Sequence, residues 1–368
     1  MERLLDVDGV IFRDESLLPI WEKVRAGKRI TVEDGAKLYR SPDFIAVGGM
    51  ADWAKRRKSG DNVYFVFNRQ VNPTNLCVLS CKFCDFAAKP GDTHAYELSM
   101  EEMLDSLHEE MTEVHIVGGH HPTWPFEKYV EIVAAIHKRF PKMQIKAFTA
   151  AEWDYFEKRW KVPVKEAMLR MKEAGLQALP GGGAEVFSDR VRKELFPGKA
   201  GWKRWIEIHQ TAHRLGIPSN STMLYGHIET IEERVTHMDI LRKAQDETGG
   251  FQVFIPLEYQ IGDTRLVARQ ASAIDNLRTI AVSRLMLDNF KHIKAYWVMM
   301  SEEAADMALN FGADDMDGTI GKERIAHAAK AASPIGLVRE HLVELIKDAG
   351  KVPVERDALY NTVKVYRN

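Results

Sequence analysis

Residues 72–86 read NPTNLCVLSCKFCDF and contain Cys77, Cys81 and Cys84, which are all three cysteines of the 368-residue chain. Three thiolates this close in sequence can surround one metal centre, but they leave a tetrahedral zinc site one ligand short. A cubane [4Fe–4S] cluster accepts three cysteines, because each binds one iron and the fourth iron stays open for a substrate. The spacing therefore predicts a cluster. Buried free cysteines and a zinc knuckle are the simpler alternatives.

Length and composition are typical of a globular enzyme. Hydrophobic residues make up 45% of the chain, charged residues 28%, and the formal net charge is −2. Such a chain can bury a large core, and it has no overall basic field for nucleic acid or an anionic membrane. No basic segment precedes an apolar run at the N terminus, and no apolar run reaches the length of a membrane helix. We expect a cytoplasmic protein with no nucleic-acid partner and no membrane insertion.

From residue 62 onward, short β-branched segments alternate with amphipathic helical segments, as in parallel sheets built from βαβ units. Strands are predicted near residues 63–67, 113–117, 144–148, 176–179, 218–223, 251–255, 292–298 and 309–312. This number of strand–helix units favours the α/β class and a (β/α)8 TIM-type barrel over an open doubly wound sheet. Three regions are expected: a helical N-terminal cap over residues 1–60, the barrel over 61–332, and a C-terminal helix and tail over 333–368 packed on the barrel.

In such a barrel, chemistry occurs in the loops that follow the carboxyl ends of the strands. Several of these loops are rich in glycine or polar residues, and each could also be no more than a tight connection. They are residues 118–122 (GGHHP), 149–152 (TAAE), 180–185 (PGGGAE) and 225–230 (YGHIET). The lack of Cβ atoms at Gly118 and Gly119 would allow close backbone approach to a ligand.

Longer segments carry a resemblance to a known family. They are residues 113–122 (EVHIVGGHHP), 146–152 (KAFTAAE), 179–186 (LPGGGAEV), 219–230 (SNSTMLYGHIET), 284–298 (RLMLDNFKHIKAYWV), 311–319 (FGADDMDGT) and 355–360 (ERDALY). With the cysteine segment, they resemble the radical S-adenosylmethionine (SAM) enzymes, in the group that includes the futalosine enzymes of menaquinone biosynthesis, the deazaflavin synthase subunits and the tyrosine lyases. One departure is visible. Many radical SAM proteins have Gly-Gly-Glu after the second strand, where this chain has Gly118-Gly119-His120.

The resemblance implies two cofactors and an electron donor. A [4Fe–4S] cluster would be bound by Cys77, Cys81 and Cys84, and SAM would bind the open iron. A low-potential donor such as flavodoxin or ferredoxin would reduce the cluster. The residues implied to contact SAM are Phe83, Gly118, Gly119, Glu152 and Glu185.

The resemblance also implies radical chemistry on a small aryl acid. The 5′-deoxyadenosyl group of SAM would add to the enol ether of 3-[(1-carboxyvinyl)oxy]benzoate. Rearrangement and loss of one carboxylate as bicarbonate would then give 6-amino-6-deoxyfutalosine, with SAM consumed as a substrate. The alternatives are cyclisation of dehypoxanthinyl futalosine by hydrogen abstraction, another radical SAM enzyme that forms C–C bonds, and, more distantly, an iron–sulfur electron carrier without SAM chemistry.

The implied substrate has two carboxylates, which arginine binds as a fork and which histidine binds through a single N–H. The candidate substrate-binding residues are Arg69, His120, His121, Arg192, Tyr259 and Asp315. In an extended segment after the fifth strand, His227 and Glu229 would point to the same side. We therefore predict that they form a catalytic pair able to move a proton. In the alternative interpretation, Glu229 caps the next helix and His227 braces the loop.

Overall fold

The structure, a computed structural model, describes residues 5–367, so residues 1–4 of the predicted cap and residue 368 of the predicted tail lie outside the described residues. The first described elements form a hairpin of β1 (Leu5–Val7) and β2 (Val10–Phe12). A short 3-10 turn and three helices follow: α1 (Leu18–Arg25), α2 (Val32–Arg40) and α3 (Phe44–Ser59). The expectation of an all-helical cap missed the hairpin, whose turn residues Asp8 and Gly9 both have positive φ, as a two-residue type I′ turn requires.

The barrel follows, with a helix after nearly every strand. Its elements are β3 (Asn62–Val66), β4 (Asn68–Val71), α4 (Met100–Asp105), β5 (Glu113–Ile116), α5 (Phe126–Arg139), β6 (Gln144–Ala147), α6 (Ala150–Trp160), α7 (Val164–Ala174), β7 (Leu176–Ala178), α8 (Asp189–Leu195), α9 (Trp202–Arg214), β8 (Ser219–Tyr225), α10 (Ile231–Thr248), β9 (Phe251–Glu258), α11 (Ala273–Met286), β10 (His292–Ile293), α12 (Trp297–Met300), α13 (Glu302–Ala308), β11 (Asp315–Gly318) and α14 (Ile325–Ala328).

The strands close into a ring. β3 and β4 are two halves of one interrupted strand, and β4 begins the parallel series β4-β5-β6-β7. A parallel bridge from Leu179 to Ser219 joins β7 to the series β8-β9-β10, and a second bridge from Lys294 to Asp315 joins β10 to β11. Since β11 pairs in parallel with β3, the predicted (β/α)8 barrel is confirmed.

The C-terminal tail is hydrogen-bonded into the barrel sheet. It consists of α15 (Arg339–Asp348), β12 (Val352–Arg356) and β13 (Thr362–Val365). β12 runs parallel to β3, with Val352 beside Asn62 and Arg356 beside Val66, and β13 pairs with β12 on its other edge. The first half of the first barrel strand therefore pairs with the tail, and its second half pairs with β5.

Two predicted strands were misplaced. Residues 309–312 form a turn after α13, and the eighth strand is β11, whose sequence DMDG suggests a loop. Its buried Asp315 is paired with Arg356 Nε at 2.7 Å, and periodicity gives no information about so distant a partner. The predicted seventh strand ends at Ile293, and Trp297 begins α12. No helix within residues 5–367 combines the length and the apolar character needed to cross a membrane.

Candidate active site

A cavity of about 300 Å³ lies at the carboxyl ends of the barrel strands. Its wall includes Cys77, Cys81 and Cys84, together with loop glycines and side chains that point inward from the strands. The inward polar residues are Asn68, Gln70, His115, Asn220, Thr222, Tyr296 and Asp317. The cluster motif, the glycine loops and the barrel interior therefore meet in one cavity.

The cysteine loop is held by its own backbone and by one lysine. Cys77 N–H donates to Ala88 O at 3.0 Å, and Lys89 Nζ donates to the carbonyl oxygens of Cys77 and Leu79 at 2.8 and 2.6 Å. None of the three thiols forms a disulfide. Burial raises the pKa of Cys81 to about 11. A bound cation would offset this cost of forming the thiolate.

The three thiols fit a cubane cluster. Each cysteine of such a cluster binds a different iron, so the thiols need to line a common cavity without converging on one ion. Across residues 5–367, no group of three or more His, Cys, Asp or Glu side chains is placed around a single ion position.

Gly118 and Gly119 pack against the cysteine loop. Gly119 N–H donates to Thr74 O at 2.8 Å. A Cβ atom would lie 2.2 Å from Leu76 O at Gly119 and 3.0 Å from Thr74 O at Gly118. Both glycines line the cavity. They must lack a side chain because the backbone of the cysteine loop packs directly against them.

We expect Gly119→Ala to displace the cysteine loop, because the new Cβ meets a backbone carbonyl that cannot move alone. A cubane requires about four irons and four sulfides per chain. After anaerobic reconstitution, the variant should contain much less of both. Gly201→Ala is the control, since its Cβ would meet no atom closer than 3.7 Å. Full cluster loading in Gly119→Ala would contradict the packing role.

Glu152 is hydrogen-bonded to Thr149 and to Gly118. Its Oε2 accepts bonds from Thr149 N and Oγ1 at 2.7 and 2.8 Å, and its Oε1 accepts one from Gly118 N at 3.3 Å. Burial raises the pKa of Glu152 to about 7, and these bonds oppose the rise. The side chain is only 2% exposed and is not among the cavity-lining residues. In this structure the Glu152 carboxylate bonds to the α6 N terminus and to the glycine loop, and the SAM contact stays a prediction.

Phe83 and Glu185 line the cavity together with Lys199, which the sequence analysis missed. Lys199 Nζ lies 2.5 Å from Glu185 Oε1 and 5.0 Å from the centre of the Phe83 ring. Burial opposes its charge, but Glu185 and Cys81 raise the pKa of Lys199 above its usual value. Lys199 is the only lysine or arginine among the described cavity-lining residues. No motif marks it, because it lies in a short Pro-Gly-Lys loop that resembles any surface turn.

His227 and Glu229 lie outside the cavity wall, and their side chains are fully buried. His227 Nε2 donates to Leu224 O at 3.1 Å, and Nδ1 accepts from Ile228 N at 2.8 Å and lies 3.0 Å from Glu229 Oε2. Glu229 also accepts from Gly226 N and Arg234 Nε. Against the effect of burial, the neighbouring His227 and Arg234 and the Gly226 N–H lower the pKa of Glu229 to about 2. This geometry favours the bracing role over the predicted catalytic role.

We expect His227→Ala to reduce stability and to leave chemistry intact. The loss of two buried hydrogen bonds should lower the free energy of unfolding by about 1 to 3 kcal/mol. SAM cleavage and product formation per loaded cluster should stay near the wild-type values. A fall in product of about a hundredfold or more with the cluster intact, the loss typical of a removed general acid or base, would restore the catalytic assignment.

Four of the six predicted substrate-binding residues do not line the cavity. Arg69 lies between the inward-facing Asn68 and Gln70, and its Nη1 donates to Gly321 O at 2.6 Å on the other side of the sheet. Arg192 donates from Nε and Nη2 to Lys199 O at 3.1 and 2.8 Å.

His121 and Asp315 also have internal partners. His121 Nδ1 accepts from Trp124 N at 3.0 Å. Asp315 accepts from Arg356 Nε and from Tyr360 Oη at 2.7 and 2.8 Å. The predicted arginine fork is therefore absent from the described cavity wall.

His120 and Tyr259 do line the cavity. The His120 ring stacks on Tyr155 with ring centres 5.1 Å apart, and burial lowers the pKa of His120 to about 3. Its backbone carbonyl accepts from Val78 N at 2.9 Å, so His120 lies at the level of the cysteine loop. The Tyr259 hydroxyl lies 2.7 Å from Thr264 Oγ1.

The barrel and its three-cysteine loop define a class of enzyme. The family model of the Radical SAM superfamily matches residues 71–241, and that of the CofH/MqnC C-terminal region matches residues 248–368. The chain belongs to the radical SAM superfamily. Its members use a [4Fe–4S] cluster and SAM, and the residues described above fit both.

Comparisons within the superfamily are more specific. Aminodeoxyfutalosine synthase of Thermus thermophilus is 46% identical over 96% of this chain and 98% of its own length. Cyclic dehypoxanthine futalosine synthase of Streptomyces coelicolor is 38% identical over 95% of this chain and 90% of its own length. The crystal structure of methylornithine synthase has the same fold, with a TM-score of 0.73 at 17% identity over 91% of this chain and 97% of that one.

Proposed function

We propose that the chain is an aminodeoxyfutalosine synthase. It joins the 5′-deoxyadenosyl group of SAM to 3-[(1-carboxyvinyl)oxy]benzoate and, with water, releases 6-amino-6-deoxyfutalosine, methionine and bicarbonate. This proposal rests mainly on one cavity. The cysteine loop lines one end of it, and a mixture of apolar and polar side chains lines the rest. The high identity to a relative with this name supports it.

A [4Fe–4S] cluster held by Cys77, Cys81 and Cys84 would supply the electron for reductive cleavage of SAM. Lys199 interacts with Cys81 and Cys84 and is paired with Glu185, and the carboxylate of the methionyl group would share this lysine with Glu185. Phe83 offers an apolar face for the adenine, and the loop at Gly118 and Gly119 offers backbone polar groups. These residues hold SAM in one orientation, which is most of what the protein contributes to such a reaction.

The apolar part of the wall suits the ring of the aryl acid. Val117, Ile255, Leu257 and Met299 line the cavity. They cover the ring and exclude water from the reacting carbons, which prevents side reactions of a radical.

We further propose that a low-potential flavodoxin or ferredoxin reduces the cluster in the cytoplasm. The cysteine loop supports this, because Ser80 and Lys82 are exposed on it while the thiols face the cavity. Lys82 is paired with Glu194 at 2.6 Å, and an acidic donor would compete with Glu194 for this lysine.

A competition experiment tests the substrate assignment. Reconstituted protein is incubated anaerobically with SAM, dithionite and an equimolar mixture of the enolpyruvyl benzoate and dehypoxanthinyl futalosine. We expect consumption of the aryl acid alone, read by mass spectrometry. Consumption of dehypoxanthinyl futalosine alone would select the cyclase, and SAM-independent electron transfer without either reaction would select an electron carrier.

A further inference from the structure

Three polar groups at the inner end of the cavity lack a hydrogen-bond partner within residues 5–367. They are Gln70 Oε1, His115 Nε2 and Asn220 Oδ1, and all three side chains line the cavity. A buried polar atom without a partner is costly and rare in a native protein, so such a group needs an explanation. Within the same residues, His120 Nδ1 is a fourth cavity-lining atom without a partner, but His120 lies at the level of the cysteine loop. The three atoms at the inner end indicate that a ligand completes their bonding.

Strand register places these groups below the cysteine loop. Gln70 and His115 are direct neighbours across the β4–β5 pair. His115 precedes Gly118 by three residues, which in extended chain is a rise of about 10 Å. Asn220 is near the start of β8, whereas Thr222 and Leu224 line the cavity at higher levels of the same strand. The cavity therefore has a cysteine end and an inner end.

The charged groups near the inner end are already paired with one another. Lys146 Nζ lies 2.6 Å from Glu113 Oε2, and Lys294 Nζ lies 3.1 Å from Asp317 Oδ2. Arg356 contacts Asp315. Each of these cations is paired with a carboxylate. The neutral side chains of Gln70, His115 and Asn220 are therefore the groups available to bind a ligand.

The geometry of the proposed reaction fixes which end of the substrate faces them. The vinyl carbon must meet the adenosyl group at the cysteine end, so the carboxylate on the benzene ring points to the inner end. We propose that His115, flanked by Gln70 and Asn220, binds the ring carboxylate of the aryl substrate. This inference rests on the proposed function and adds the residue that sets substrate orientation.

The chemistry of the three side chains suits a carboxylate. Burial lowers the pKa of His115 to about 4, so the imidazole is neutral near pH 7 and can offer one N–H. The unpartnered atoms of Gln70 and Asn220 are acceptor oxygens, so each amide must rotate about its terminal torsion to turn an N–H donor toward an anion. Neutral donors do not disturb the neighbouring ion pairs, whereas an additional arginine would disturb them.

Binding to the SAM-loaded holoenzyme without reductant tests the assignment, because no turnover occurs. The variants are His115→Leu and Asn220→Leu, with His108→Asn on an exposed loop as the control. Two probes are titrated by anaerobic calorimetry: the enolpyruvyl benzoate and the matching benzamide, which lacks the ring charge. Cluster content and SAM affinity report whether each variant is folded.

We expect His115→Leu to raise the dissociation constant of the benzoate by about tenfold or more, as expected for loss of a hydrogen bond to a charged group. Asn220→Leu should cause a smaller rise, and most of the loss should disappear with the benzamide. SAM affinity should stay within about twofold. Unchanged benzoate affinity in His115→Leu and Asn220→Leu, or an equal loss with both probes, would overturn the assignment. If the wild type binds SAM but neither probe, the proposed function fails instead.

Discussion

Cys84→Ser should lose the cluster and with it all SAM cleavage. The chain has only three cysteines, and all of them line the same cavity, so no other thiol can take the place of the lost ligand. Product formation should fall by more than about 10³-fold, because enzymatic rate enhancements are commonly about 10⁶ or larger and this one depends on the cluster. The measurements are iron content, sulfide content and product yield after anaerobic reconstitution.

Val78→Ser is the matched control for the cysteine variant. Its side chain lies in the same loop but is 45% exposed, so the change should leave cluster content and product yield near wild type. A Cys84→Ser protein that still binds four irons and cleaves SAM would contradict the assignment of the ligands.

The second large effect is expected at Arg356, where the tail joins the barrel. Its guanidinium is fully buried, donates to Asp315 Oδ2 at 2.7 Å and lies 4.1 Å from the centre of the Tyr360 ring. Arg356→Ala leaves Asp315 as a buried carboxylate without its main partner. Such a change should lower the free energy of unfolding by about 3 to 5 kcal/mol.

The stabilisation by Arg356 depends on pH in one direction. Burial opposes the charge of Asp315, but Arg356 and Lys294 lower the pKa of its carboxyl group. In the unfolded chain the pKa of this carboxyl group is about 3.9, so ionised Asp315 stabilises the fold at pH values above about 3.9. This stabilisation is lost as the pH falls and the carboxylate is protonated. Urea unfolding at pH 7, followed by circular dichroism, therefore measures the full effect. Lys364→Ala on exposed β13 is the control, expected to change stability by no more than about 0.5 kcal/mol. A change below about 1 kcal/mol in Arg356→Ala would refute the role of the network.

The barrel and the cluster site could be read from the sequence because both depend on local patterns. Cys77, Cys81 and Cys84 lie close enough in sequence to be recognised together as one motif, and the alternation of strands and helices repeats along the chain. The loops after the strands were predicted to carry the site, and in the structure Gly118, Glu185 and the three cysteines line one cavity.

The substrate end was harder, because it depends on which way each side chain points. Arg69 was chosen for its charge. Because side chains alternate along a strand, Arg69 points away from the cavity and its neighbour Gln70 points into it. His227 was chosen for its neighbour Glu229, but both are enclosed by the same loop. His115 was passed over because it lies inside a predicted strand, where a polar side chain carries no sign of which face it points to. The β4–β5 pairing places Gln70 beside it, and the closed barrel brings Asn220 into the same cavity.

The most direct test of the account follows the adenosyl group through one turnover. Reconstituted protein is given one equivalent of SAM labelled with carbon-13 in the adenosyl group, together with dithionite and the enolpyruvyl benzoate, and the products are read by mass spectrometry. We expect the label to appear in 6-amino-6-deoxyfutalosine, with little free 5′-deoxyadenosine. Labelled free 5′-deoxyadenosine as the stoichiometric product, with no adduct, would contradict it.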